Sequence, residues 1–499
     1  MDKRQNQWTL WLVISCITVC LSASFLFGYG IGAPNQYSKF IEPFMNSKFN
    51  ACDVQENRTR TQYACPPLLN KTTDTGFSKD VFIGELKNGI GQTLFVLGNF
   101  IGALTGPYWL RCSKFFDRRR IFYANYPFAI LFAVLGISAY YTKQPSLLYV
   151  SRFVLGFQGG MACVIVSPYL NEISPQSLRG ITGTFHQLFI TIGILVGQLL
   201  GIPEIFGKFN IWIWGFIIGT VTSVIAIFIT PFICDSPVQM VQVMNNESKA
   251  YTAMKKLTNR DDVDSEIKLL TSEQESNQGQ TSLSVKDVFS DSKYKWQLIT
   301  TLTLFGIQAL SGINAVFFYS TKMFTVAGIS EENLPYSTVC TGAINVIATI
   351  AVLPLIDRFG RRPLLVYPMG LIVGLFVVLT IVIEVNMKKN SAALAWFSVL
   401  LIIVFIIAFA LGLGPIPFIY ACEVFRPEAR DAVLSVSLCI NYVFNMLLSL
   451  FFPAINSALR GYVFLIFGIL VLLSLILFYF KLPETKNKTT EEIENEIRA

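Results

Sequence analysis

Apolar runs of roughly 20 residues recur twelve times along this chain of 499 residues, and that recurrence leaves few folds open. A helix needs about 20 residues to cross a hydrocarbon core of about 30 Å. A spanning barrel would instead show short strands of alternating polarity, and none are apparent. With 53% hydrophobic residues, only 14% charged and a mean hydropathy of +0.52, the chain is too apolar to cover itself with a soluble surface. The expectation is an all-α membrane protein with twelve transmembrane helices. The first run, Trp8 to about Ala33, follows Lys3 and Arg4 and has no small-residue cleavage site. It reads as an uncleaved first span rather than a signal peptide. Further spans are expected near 82–110, 121–141, 146–169, 182–203 and 211–233, then near 296–320, 335–356, 363–385, 393–420, 431–452 and 462–481.

The polar segments divide the rest. A six-helix unit over 1–234 contains a polar loop at 36–78, a charged linker covers 235–295, a second six-helix unit covers 296–482, and a tail covers 483–499. The linker is expected to form short helices around 237–243 and 249–270. The net charge of +7 resides in short loops, the positive-inside pattern of a bilayer protein, so no nucleic-acid partner is implied. The basic start and the even number of spans place both termini in the cytosol. The 36–78 loop carries Cys52, Cys65 and the sequons at Asn57 and Asn70, which point to an extracellular, glycosylated loop with a possible Cys52–Cys65 disulfide. The sequons at Asn246 and Asn487 fall on the cytosolic side and should stay unmodified.

The two halves repeat each other. Arg118-Arg119-Arg120 after the second span matches Arg358 to Arg362 after the eighth, and Glu172 with Arg179 matches Glu423 with Arg430. Two six-helix bundles related by an axis along the membrane normal suit a rocking transporter. Polar residues at membrane depth mark its site. Within the seventh span, Gln308, Ser311, Asn314 and Phe318 fall at spacings of three and four, so a continuous helix would put two amides, a hydroxyl and a ring on one stripe. Gln187, Asn345 and Asn441 lie at similar depth. Amides donate and accept without carrying charge, which suits a polyhydroxylated, neutral ligand. The alternative is helix-to-helix bonding, a common use of Asn and Gln in membranes.

On these residues the chain resembles the sugar porter family of the major facilitator superfamily, and within it the facilitative glucose transporters. The resemblance spans nearly the whole chain. It rests on Phe27-Gly28-Tyr29, Ser151-Arg152-Phe153, Pro168 to Glu172, Arg179-Gly180, His186-Gln187-Leu188, Gln308 to Asn314, Asp357 to Arg362, Gly414-Pro415-Ile416-Pro417, Glu423 and Pro483-Glu484-Thr485-Lys486. It implies a hexose site at Gln187, Gln308, Asn314 and Asn345, with Asn441 on the central face and Phe317 and Phe418 as aromatic contacts. It also implies a salt-bridge gate in which Arg152, Glu172, Arg179, Asp357, Arg361, Arg362, Glu423 and Arg430 take part, with opposite charges of the two bundles pairing at the inner helix ends. The loop from Arg111 to Arg118 lacks the family's glycine before its arginines, a departure that weakens the expected pairing in the N-terminal copy. Ala309, Ala410 and Phe418 stand where the family's glucose carriers have glutamine, glutamate and tryptophan, so hexose is implied more firmly than glucose, and fructose competes.

Proton-linked members carry an acid after Phe-Gly-Tyr, where this chain has Gly30, so uniport is expected over proton symport. His186, the only histidine, reads as a packing residue. An enzyme is not expected: no metal cluster or nucleophile-base pair stands out, and no cofactor is implied. A non-transporting sugar sensor is the alternative of another class, disfavoured by the short segment after Leu482. The implied partners are a hexose and the lipid bilayer, the implied location the plasma membrane, and a monomer should suffice.

Overall fold

The computed structural model describes residues 8–45, 79–111, 118–175, 178–208, 211–242, 244–260, 262–276, 285–290, 294–326, 328–389, 391–425, 427–486, 488, 492, 493 and 496. Among these there is no strand, and twelve helices are long and apolar enough to cross a membrane. They are α1 (Leu10–Gln36), α2 (Lys79–Arg111), α3 (Arg118–Thr142), α4 (Pro145–Ile173), α5 (Arg179–Leu200), α6 (Trp212–Phe232), α7 (Lys295–Thr321), α8 (Leu334–Phe359), α9 (Arg361–Lys389), α10 (Ala392–Val424), α11 (Pro427–Leu459) and α12 (Val463–Lys481). Cys52, Cys65, Asn57 and Asn70 lie outside the described residues.

The two bundles meet through α1, α2 and α5 on one side and α7, α8 and α11 on the other. The extensive pairs across this interface are α2 with α11 and α5 with α8, and α1 packs on α7. Exchanging each helix for its counterpart six positions on turns the first pair into the second and leaves the third unchanged, as a two-fold repeat requires. The remaining helices sit behind, and α9 and α12 present large apolar side chains such as Tyr367, Ile381, Leu473 and Phe480 on their outer surfaces.

Close approach inside the N-terminal bundle depends on missing side chains. A Cβ at Gly98 of α2 would lie 2.1 Å from the Phe153 carbonyl oxygen, and one at Gly156 of α4 would lie 1.9 Å from that of Phe95. The two backbones therefore touch reciprocally, the small-residue packing that holds helices together where no hydrophobic effect acts between them.

Several boundaries depart from the hydropathy pattern. The chain continues as a helix over Ser38–Met45, inside what was expected to be an open polar loop. In the linker, the single helix expected over 249–270 is two, Glu247–Thr258 and Asp264–Ser276, interrupted at Asn259, which adopts a left-handed conformation with φ 52°. Pro237–Gln242 and Val285–Ser290 complete the linker helices. Met240, Val241, Ala250, Val263 and Ile267 give the linker its own small core. It docks on the N-terminal bundle through Thr9, whose hydroxyl donates to the Leu257 carbonyl at 2.8 Å. Asn246 spends its side-chain oxygen capping the Glu247–Thr258 helix, accepting from Lys249 N at 3.0 Å.

The α2–α4 contact sets a test. Gly98→Val should destabilise the protein by about 1–3 kcal/mol or more, because the obstructing atom is backbone and cannot swing away. Gly374→Leu on α9, where a Cβ would meet nothing within 4 Å, should change stability by less than about 0.5 kcal/mol. Thermal unfolding of the two variants side by side checks the contrast.

Candidate substrate cavity and its flanking ion clusters

Two helices of the C-terminal bundle are broken, and the breaks face one another. In α7 the first segment ends at Leu310, and Gly312, with φ 87°, turns the backbone before Ile313 restarts it. A residue with a Cβ is strained at that φ. In α10 the helix stops at Leu411 and resumes at Ile416. Gln308 closes the gap between the two: its Nε2 donates to the carbonyls of Leu413 at 2.9 Å and Gly414 at 3.1 Å. These carbonyls would otherwise lack partners in a region without bulk water.

A cavity of about 80 Å³ lies beside this junction, lined from both bundles, and none of the described residues lining it is charged. Gln187, Gln308, Asn314, Phe317, Asn345, Phe418 and Asn441 all line it. Ser311, placed on the same stripe by helical spacing, does not; its hydroxyl donates back to the Gln308 carbonyl at 2.8 Å. Ala309 and Ala410 are buried in the wall without lining the cavity. Asn99 and Asn445 line it as well, unforeseen from the sequence. Asn445 lies four residues beyond Asn441 on α11, so helical spacing alone could have found it.

The C-terminal amides form a directed chain. Asn314 Nδ2 donates to Asn445 Oδ1 at 2.5 Å, Asn445 Nδ2 to Asn441 Oδ1 at 2.8 Å, and Asn441 Nδ2 to Gln308 Oε1 at 3.1 Å and to the Phe305 carbonyl at 2.7 Å. Each amide nitrogen carries two N–H bonds. Asn441 and Gln308 spend both on the protein, whereas Asn314 and Asn445 each retain one. Asn345 Oδ1 is buried with no hydrogen-bond partner, and Asn345 lies on the same wall. Phe418 contributes a ring held edge-on between Phe305, at 5.3 Å between centroids, and His186 of the other bundle, at 5.0 Å. His186 is fixed in turn by Ser24 Oγ, 2.7 Å from Nδ1. The wall opposite the amides is largely apolar, with Ile31, Phe95, Ile190 and Ile194. Donors, acceptors and apolar surface together suit a small neutral ligand with several hydroxyls.

The charged residues lie elsewhere. Arg152 is 2% exposed inside the N-terminal bundle, not at a helix end. It donates to the Gly30 carbonyl at 3.0 Å and to Gln92 Oε1, and its guanidinium lies over the Phe95 ring at 4.6 Å. Both acceptors are neutral.

At the helix ends, each bundle holds an ion pair of its own among the described residues. Arg118 pairs with Glu172 at 2.5 Å and Arg361 with Glu423 at 2.8 Å. The N-terminal pair therefore forms without the missing glycine. Each acid also accepts a hydroxyl from the segment after its bundle's last span, Ser236 at 2.6 Å for Glu172 and Thr485 at 2.5 Å for Glu423. Asp235 pairs with Arg119 at 3.1 Å, and Glu484 accepts from the backbone N–H groups of Arg361 and Arg362 at 2.9 and 3.0 Å. Glu484 thus caps α9 at its positive end, which is why α9 starts at Arg361, two residues before its hydropathy begins. Gly360, with φ 89°, leaves room for that carboxylate, since a Cβ there would fall 2.6 Å from Oε2. Arg362 Nη2 donates to the Tyr479 carbonyl at 2.7 Å and Arg430 Nη2 to that of Phe425 at 3.4 Å. Arg179 is exposed at the start of α5, and the Asp357 side chain lies outside the described residues.

Two helical bundles closing on an uncharged, amide-lined cavity define a membrane transporter of the major facilitator fold. The solved structure of the proton:xylose symporter XylE bound to 6-bromo-6-deoxy-D-glucose shares that fold, with a TM-score of 0.72 at 19% identity over 97% of this chain and 99% of that one. The inward open xylose transporter XylE from E. coli matches with a TM-score of 0.68 at 19% identity, over 97% of this chain and 100% of that one. In sequence, the chain is 30% identical over 491 residues to the human solute carrier family 2, facilitated glucose transporter member 9, covering 98% of this chain and 86% of the relative. It is 29% identical over 498 residues to member 5 of the same family from Rattus norvegicus, covering 100% and 94%. Residues 15–497 match the family profile described as sugar (and other) transporter, and the chain belongs to that family.

The cap on α9 is testable. Glu484→Ala removes both bonds to the helix start and should cost about 0.5–2 kcal/mol. Thermal unfolding in detergent with and without Glu484→Gln, which keeps one acceptor, should rank Ala below Gln below the parent.

Proposed function

We propose that the protein is a facilitative hexose carrier, a uniporter for glucose, fructose or both, that works by alternating access as a monomer in the plasma membrane. The observation that carries this reading is the absence of charge among the described residues lining a cavity built from amides on both bundles. A ligand recognised by amides crosses without moving net charge, so no ion need accompany it. The family supplies the substrate class, and two relatives carry the name of glucose transporters.

Uniport rests on Arg152. Its partners are a backbone carbonyl and an amide, so at membrane depth it has no carboxylate there whose protonation could couple to sugar movement. The clusters around Glu172 and Glu423 act as the inner gate: their links to the segments after α6 and α12 tie each bundle's helix ends into one rigid unit that must shift as the bundles rock. On this reading the linker, with both termini, lies in the cytosol.

Uptake of labelled hexose into proteoliposomes tests the proposal. Sugar should equilibrate, and imposing a pH gradient should leave the internal level no higher than the external one; accumulation above it overturns uniport, and no hexose flux overturns the function. Asn314→Leu removes a donor and an acceptor from the cavity and should raise KM by about tenfold with the protein still folded, one hydrogen bond being worth about 0.5–1.5 kcal/mol.

A further inference from the structure

Asn99 belongs to no part of the sequence reading, yet it sits on the cavity. It projects from α2 one residue past the packing glycine Gly98, is 1% exposed, and is with Gln187 one of two amides that the described residues of the N-terminal bundle contribute to the lining. The C-terminal bundle contributes five, so the N-terminal wall is short of polar groups to hold a ligand that both bundles must grip in turn.

Its side chain is half satisfied. Nδ2 donates to the Phe95 carbonyl one turn earlier at 2.9 Å, which fixes the rotamer, while Oδ1 is buried with no hydrogen-bond partner. An asparagine that glues helices together looks different in this same bundle: Asn125 Nδ2 donates to the Gln158 carbonyl at 2.9 Å and Gln158 Nε2 returns a bond to Asn125 Oδ1 at 2.7 Å. Asn99 has no such partner on a neighbouring helix. The oxygen lies against α4 with no donor there to meet it. A Cβ at Gly159 of α4 would lie 2.8 Å from Oδ1 and 2.6 Å from the ring of Phe27, itself a lining residue, and one at Gly160 would lie 2.0 Å from the Asn99 backbone oxygen. The two glycines seat Asn99 against α4, while Asn99 and Phe27 both line the cavity. A buried acceptor left empty is destabilising, and its position is accounted for when a donor arrives with the ligand.

We propose that Asn99 is a specificity-determining residue whose side-chain carbonyl accepts a hydrogen bond from one hydroxyl of the bound sugar, opposite the C-terminal amide chain. The inference rests on the hexose reading above. It commits Asn99 to one particular hydroxyl, so a sugar lacking that group loses the contact.

The test is flux in proteoliposomes with the parent hexose and its monodeoxy analogues, for the unaltered protein and for Asn99→Leu, which keeps the volume and removes both polar atoms. The expected result is a rise in KM of about tenfold for the parent sugar in Asn99→Leu, with one deoxy analogue transported equally poorly by both proteins. Asn99→Ser, which restores a hydroxyl acceptor, should recover part of the difference. If Asn99→Leu fails to fold, Asn99→Ala is read against the same panel. An unchanged KM, or a loss shared by every analogue, overturns the assignment while leaving hexose transport standing; absence of hexose flux in the unaltered protein overturns both.

Discussion

Backbone carbonyls cannot be left empty within a membrane, and the broken helices of this protein are arranged around that constraint. Breaking α10 between Leu411 and Ile416 frees carbonyls, and breaking α7 at Gly312 brings the end of its first segment alongside them. Gln308, the last amide before the break, satisfies both Leu413 and Gly414. The group that makes one break tolerable is also a wall of the cavity. A ligand that drew the Gln308 amide toward itself would therefore loosen the α10 break in the same step, which is a physical route from occupancy to helix movement.

The duplicated architecture reaches further than the helices. Glu172 is held by Arg118 and Ser236, with Asp235 on Arg119; Glu423 is held by Arg361 and Thr485, with Glu484 on the start of α9. In each bundle an acid at the end of the fourth helix, an arginine after the second, and an acid-hydroxyl pair after the sixth converge on one face. The chemistry is conserved between the halves while the geometry differs: Glu484 caps a helix, whereas Asp235 pairs with a guanidinium.

Much of this was legible in the sequence because lipid imposes a simple code. The twelve spans follow from apolar runs, and the depth of Gln187, Gln308, Asn314, Asn345 and Asn441 follows from their place within them. What could not be read depends on backbone geometry or on contacts distant in sequence. The break between Gln308 and Asn314 depends on the positive φ of Gly312, which helical periodicity does not see. Glu172 pairs with Arg118, 54 positions away by their residue numbers, a contact that no local spacing signals. Asn99 went unnoticed because a single amide in an apolar run has no signature until the glycines of α4 are brought against it. The α9 boundary moved because a carboxylate from beyond α12 caps it.

The two ion clusters also differ in when they can form. Arg118, Glu172, Asp235 and Ser236 have all been synthesised before α7 begins, so the N-terminal cluster can close while half of the spans are still to come. The C-terminal cluster needs Glu484 and Thr485, which emerge only after α12. As the chain is inserted in order from its N-terminus, the N-terminal bundle can set its polar face early, while Arg361 and Glu423 wait for the residues that complete their shell. The pair is matched in space and staggered in time, so the segment just beyond the last span acts as the final lock of biosynthesis.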